Sequence, residues 1–220
     1  MTKRVSLALV LFMAGALAAH ADSLVTTRPA GTDSVDWAQF GSDNAQISNP
    51  ATLTTANGVT GTSSYAESDS GTINIEGYNW SGNFASGDSL NYNENNGALT
   101  LTFADGYTQI GTQIESVSHG SFTAQICDSN EFCFTEDGTS AGTNDNSAIY
   151  IGVESDTPIT WVTISLTSAS YAPGSFAVND VTLGGGATAT PEPSSLLLLG
   201  TGLVGFAGVL RRKLACKVQG

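Results

Sequence analysis

"ALTLTFA", Ala98 to Ala104, sets Leu99, Leu101 and Phe103 against Thr100 and Thr102. A period of two is the pattern of a strand with one face buried; a helix would scatter those three side chains around its axis. The alternation recurs on both sides, in "TINIEGY" (Thr72 to Tyr78), "SFTAQIC" (Ser121 to Cys127), "AIYIGV" (Ala148 to Val153) and "ITWVTISLTS" (Ile159 to Ser168). "SFAVNDVTLG" reads as the closing strand. Between these runs lie "ASGD", "NENNG", "DSNE", "EDGTSAGTNDNS" and "YAPGS", built from residues that favour turns. No helical periodicity of ten residues occurs between the chain's two ends, and no fixed repeat period argues for a solenoid or propeller. The pattern predicts an all-β fold, an antiparallel β-sandwich or jelly roll spanning residues 22–183. "GGGATAT" at 184–190 reads as a flexible linker.

The two ends are of another kind. Residues 1–21 carry Lys3 and Arg4, then the apolar "VSLALVLFMAGALAA", then small residues at Ala19 and Ala21. This is the layout of a secretory signal peptide, cut by signal peptidase after Ala21. At the other end, Leu196 to Leu210 is an apolar run of 15 residues. As a helix it would be about 22 Å long, short against a hydrocarbon core of roughly 30 Å. It has no amphipathic stripe, and Arg211, Arg212 and Lys213 follow it as a cytoplasmic stop. The reading is a single membrane-spanning helix in the inner membrane, with 214–220 as a cytoplasmic overhang and the body on the far side.

Pro191-Glu192-Pro193, the short Leu/Gly-rich span and "RRK" resemble, in that order, a PEP-CTERM sorting signal over residues 189–213. The resemblance implies recognition by an exosortase of Gram-negative bacteria, removal of the tail near Pro191-Glu192-Pro193, and residence in the envelope or an exopolysaccharide matrix. "LACKVQG" after the basic cluster is a longer overhang than such tails usually carry. Tails of this type are also labelled ice-binding protein C-terminal. A β-solenoid ice binder would need regularly spaced Thr ranks, and the Thr pairs here recur at no single interval.

Between residues 22 and 190 the chain holds one basic residue, Arg28, against 19 acidic ones, a net charge of −18. Such a body is no partner for nucleic acid, whose binding rests on neutralising phosphates. Like charge of this size keeps an exported protein dispersed. Cys127 and Cys133 flank five turn-prone residues and suit a hairpin disulfide in an oxidising compartment.

The stretch over residues 98–184 is also distantly similar to galactose-binding-like jelly rolls, which implies a two-sheet sandwich ending in an Asn-Asp pair, here Asn179 and Asp180, and binding of a glycan or a structural calcium ion. Calcium is the one cofactor the sequence raises. "NYNENNG" and "GTNDNS" offer oxygen ligands, though turn formation explains both; Asp145 and Asp180 are the calcium candidates. Tyr78, Trp80 and Phe84 in "GYNWSGNF" form a candidate glycan-stacking platform, while Trp37 and Trp161 read as core. No catalytic set is expected. "GDSL" at Gly87 to Leu90 lacks the later Asp-x-x-His that its chemistry requires, leaving only His119. Glu115, Glu136 and Glu154 read as solvated strand-face residues, so a hydrolase using paired carboxylates is the alternative to a structural or weakly glycan-binding role.

Overall fold

The computed structural model describes residues 22–67, 69–170 and 174–186. The expected signal peptide, the sorting motif, the membrane span with its basic stop and the overhang all lie outside them. The chain divides into two units, 1–187 and 188–220, and every described residue belongs to the first. No helix among the described residues is long and apolar enough to cross a membrane.

Twelve antiparallel strands carry the fold: β1 (Ser23–Val25), β2 (Asp33–Val35), β3 (Gln46–Ile47), β4 (Ala51–Thr54), β5 (Thr60–Tyr65), β6 (Gly71–Ile75), β7 (Ser89–Tyr92), β8 (Leu99–Ser116), β9 (Gly120–Asp128), β10 (Cys133–Ser140), β11 (Ile149–Ala169) and β12 (Phe176–Gly186). A 3₁₀ turn, Trp37–Phe40, follows β2 and is capped by Asp36, whose Oδ1 accepts the Ala38 amide at 2.8 Å.

Two long strands fold the hydrogen-bonded network into a sandwich. The first part of β8 pairs with β5 and with the second part of β11, which continues to β9 and β10. The second part of β8 pairs with the first part of β11 and with β12, which continues to β7, β6 and β3. β1 and β2 complete the second layer against β11 and β12.

The corners fall together. β8 bends at Ala104 to Gly106, β11 loses register between Glu154 and Ile159, and a Cβ on Gly106 would press on Pro158. Glycine gives the close approach, and proline, with no N–H to donate, is tolerated where the ladder is broken.

The expected period of two fills the core. Leu99, Leu101 and Phe103 meet Val162, Ile164 and Ile126 from one layer and Ile110, Ile151, Val153, Val181 and Leu183 from the other. Full burial of each such side chain stabilises by about 1.5–3 kcal/mol. Trp37 is buried in the same core with its Nε1 donating to Asn179 O at 2.9 Å, whereas Trp161 stays half-buried.

Several boundaries differ from the sequence reading. "AIYIGV" and "ITWVTISLTS" are one bent strand, β11. β10 takes up Glu136 to Ser140, the first part of the turn expected at "EDGTSAGTNDNS". β12 runs on through Gly184 to Gly186, pairing Gly184 with Gln109 and Gly186 with Tyr107, so the linker's first three residues are strand. Cys127 and Cys133 face each other across β9 and β10 and are joined by a disulfide.

Candidate functional site

From Ile110 to Ser116 every residue of β8 is buried, so the second layer is covered on its outer face as well. The cover is the segment between β6 and β7, together with the loop before β11. Trp80 and Phe84 pack there on Leu90, Ala148 and Ala177, and Tyr92 meets Trp80 at a tilt of 56° and a ring separation of 5.2 Å.

Two carboxylates pin this cover from below. Glu76 Oε1 accepts the Gly82 amide at 2.9 Å, and Glu115 Oε2 accepts the Asn83 amide at 2.8 Å. Burial pushes both carboxyls above the usual range, and each has one buried oxygen without a donor. Gly82 is required, because a Cβ there would strike the Glu115 carboxylate and Trp80 Nε1. Asn83 ties the two covering segments together: its Oδ1 accepts the amides of Ala141 (2.9 Å) and Gly142 (3.0 Å), and its carbonyl accepts Ala148 N at 3.0 Å.

Beside this cover opens a cleft of about 430 Å³. Thr26, Thr27 and Arg28 from the segment after β1 form one wall, Gln113 the floor, and Asn146 to Tyr150 the opposite wall, with Glu136 at the edge. Its polar groups are held by one another. Gln113 Oε1 accepts from Arg28 Nη2 (3.3 Å) and Asn179 Nδ2 (3.1 Å). Gln113 Nε2 donates to Asn146 Oδ1 (3.1 Å) and to Ala148 O (3.2 Å). Asn179 Nδ2 is oriented in turn by Asp88 Oδ2 at 2.5 Å. The Tyr150 hydroxyl is buried without a partner, and burial pushes its pKa up to about 12, so it stays a neutral donor and acceptor.

The candidate platform Tyr78, Trp80 and Phe84 does not form. Tyr78 is 80% exposed, while Trp80 and Phe84 are 6% and 0% exposed beneath the covering segment. An aromatic in a polar loop reads as exposed, yet this loop folds back over a sheet face that would otherwise be bare.

Asp145 is exposed and serves a turn: its Oδ1 accepts from the Ser147 hydroxyl at 2.5 Å and the Ser147 amide at 3.1 Å, which hold its carboxyl below the usual range. Asp180 sits in the β12 bulge between Val178 and Val181. No three acidic, His or Cys side chains converge as a metal-binding group among the described residues.

His119 is exposed and lies 3.2 Å from the carbonyl of Ser81. Glu115 corrects the sequence reading most sharply, since it is fully buried. Sequence reasoning also missed Gln113, Asn146 and Tyr150. The signal it had was "YTQIGTQIES", where a polar residue on a strand covered on both faces must find a partner.

Residues 189–213 match the model of the PEP-CTERM protein-sorting motif, and the chain thus carries that motif. No curated protein matches the chain. Among solved structures, the carbohydrate-binding module CsCBM6-3 from Clostridium stercorarium, in complex with cellobiose, is 11% identical over 74% of this chain and 93% of that chain. Its TM-score of 0.26 is too low for the likeness to carry an argument.

Proposed function

We propose that this is an exported, exosortase-sorted, non-catalytic β-sandwich that binds a neutral glycan of the cell's own matrix in the cleft between Arg28 and Tyr150. The carrying observation is the fixed set of hydrogen-bonding groups there. Planar amides held by other amides and a guanidinium suit a ligand rich in hydroxyls, and a pre-oriented site spends little entropy on binding. The cleft lacks an exposed aromatic face, so affinity is weak. A body with net charge −18 disfavours acidic polysaccharides. The PEP-CTERM motif supports the address: export, a transient hold at the inner membrane, and transfer to the envelope or exopolysaccharide. The Glu76 and Glu115 carboxylates are sealed beneath the covering segment and offer no support for hydrolysis.

Calorimetric titration of the exported protein with neutral and uronic-acid oligosaccharides tests the binding claim. Weak binding of neutral sugars is expected, lost in Gln113→Ala and reduced in Arg28→Ala. Equal binding by the Gln113→Ala protein would move the site elsewhere. Deleting residues 191–213 should release the body from membrane fractions, and an unchanged distribution would refute the sorting claim.

A further inference from the structure

Away from the cleft, a second pair of carboxylates meets where β1 begins. Asp128 opens the β9–β10 turn and is fully buried. Its Oδ1 accepts the amides of Asn130 (2.9 Å) and Phe132 (3.1 Å), while Oδ2 is buried with no donor. The Asp22 carboxyl lies within hydrogen-bonding reach of it. Asp22 Oδ2 accepts from Asn130 Nδ2 at 3.1 Å, and its Oδ1 is also buried without a donor. Asn130 Nδ2 continues to Ser155 Oγ at 3.1 Å, so the surroundings are neutral. Burial, and then the Asp22 carboxyl, push Asp128 upward.

No side-chain cation is at hand. Residues 22–190 contain no lysine, and Arg28, their one arginine, is bonded to Gln113 in the cleft. Two carboxyls in contact without a counter-charge are a costly arrangement. The small residues Ala19 and Ala21 put the cleavage point directly before Asp22.

We propose that signal-peptide removal supplies the missing counter-ion, the new α-ammonium of Asp22 closing against the Asp22–Asp128 pair and clamping β1 to the disulfide hairpin. This rests on the export reading above. Hydrolysis of the Ala21–Asp22 peptide bond consumes one water, leaves a carboxylate on Ala21 and frees an amine on Asp22, which takes up a proton. The Asp22 nitrogen is three bonds from its own carboxylate carbon, so it lies within about 7 Å of the Asp128 oxygens. The α-ammonium is one of only two fixed cations in the processed body. Processing thereby completes the fold's edge, and the unprocessed chain carries the pair unpaid.

The test uses the exported full-length chain, with two serines inserted between Ala21 and Asp22 to move the ammonium by about 7 Å, in Asp128 and Asp128→Asn backgrounds. Mass spectrometry first fixes the mature N-terminus. A start at a residue other than Asp22 overturns both the cleavage reading and the proposal; a start at Asp22 with no effect of the insertion overturns the proposal alone. The insertion should lower the melting temperature by about 5 °C with Asp128 present and change it little in Asp128→Asn. Equal drops in both backgrounds overturn the pairing. Acylation of the α-amine, read on the N-terminal peptide, should be about tenfold slower than in Asp128→Asn, the effect of one unit of raised amine pKa. Equal rates overturn the proposal, as does calcium that raises the melting temperature of both N-terminal forms alike, which would assign the counter-charge to a metal.

Discussion

Replacing Asp180 with Asn should stabilise the protein at neutral pH. Asp180 occupies the β12 bulge, where its amide donates to Asn179 Oδ1 at 2.7 Å. Its carboxyl is pushed from 3.8 up to about 6 by burial first and then by Asp36 and Asp88, against a partial offset from Arg28. A rise of about two units corresponds to roughly 3 kcal/mol. Asp180 is only half-buried, and solvent screening reduces this to about 1–1.5 kcal/mol. An acid whose folded pKa is raised binds its proton more tightly when folded. Its stabilising influence is therefore full below pH 4 and is lost as pH climbs through 6. Asn mimics the protonated side chain, so the variant should match wild type at pH 4 and melt about 3–5 °C higher at pH 7. Thermal unfolding of both proteins from pH 4 to 8, in chelator, measures the difference. Parallel curves across that range, or a less stable variant at pH 7, would refute the reasoning. Repeating the series with calcium tests Asp180 as a ligand directly: a calcium site there would stabilise wild type alone and reverse the sign.

Gly82→Ala should cost about 1–3 kcal/mol in urea unfolding, because the new methyl strikes the buried Glu115 carboxylate and Trp80. Gly87→Ala, with a φ of +93° and open space around it, should cost only about 1 kcal/mol of backbone strain in the same assay. Replacing Cys127 and Cys133 together by Ala should remove about 2 kcal/mol, the loop-closure value for a six-residue separation, read as a lower urea midpoint under oxidising conditions. Glu115→Gln keeps the acceptor for Asn83 N–H and removes a charge whose pKa burial raises. It should gain about 1 kcal/mol at pH 7 and less at pH 4, measured by the same melts.

The part of the fold written in alternating side chains was legible: Leu99, Leu101 and Phe103 and the β9 run sit where period two puts them, and the closing strand does so on either side of the bulge at Asn179 and Asp180. The rest failed for identifiable reasons. β5, "TGTSSY", has Gly61 under Leu53 and Ser63 facing the core, so its inward face carries too little apolar volume to register as a pattern. β11 reads as two strands because the alternation is interrupted between Val153 and Ile159; Pro158 instead marks a corner that a single strand passes through. The cleft was invisible because it is assembled from four separate stretches. Its floor residue Gln113 differs in no local way from Gln109 or Gln125, and only the cover over the second layer makes it a buried, oriented amide. Trp80 and Phe84 misled for the same reason: nothing in "GYNWSGNF" says that a sheet face lies beneath it.

The acidic surplus reads in the sequence as a soluble coat, yet four of the 19 carboxylates lie inside. Asp33 accepts the amides of Ser34 and Asn57 and the Tyr107 hydroxyl. Burial raises its pKa, but bonds from Thr55, Asn57, Tyr107 and Ser34 outweigh that and hold it below the usual range. Glu76 and Glu115 take the Gly82 and Asn83 amides, and Asp128 takes those of Asn130 and Phe132. Apart from Ser34 in β2 and the Tyr107 hydroxyl in β8, these partners lie in turns or loops, where backbone donors have no ladder to join. A lysine-free body cannot fasten its loops by ion pairs, so it fastens them by aiming carboxylates at unpaired N–H groups, each a charge-assisted bond stronger than a neutral one. The fastening is complete at Asp33, whose oxygens are all engaged, and incomplete at Glu76, Glu115 and Asp128, each of which keeps one bare oxygen. Those three bare oxygens separate the loops this protein simply holds from the ones whose charge is left for a proton, or for the new N-terminus, to balance.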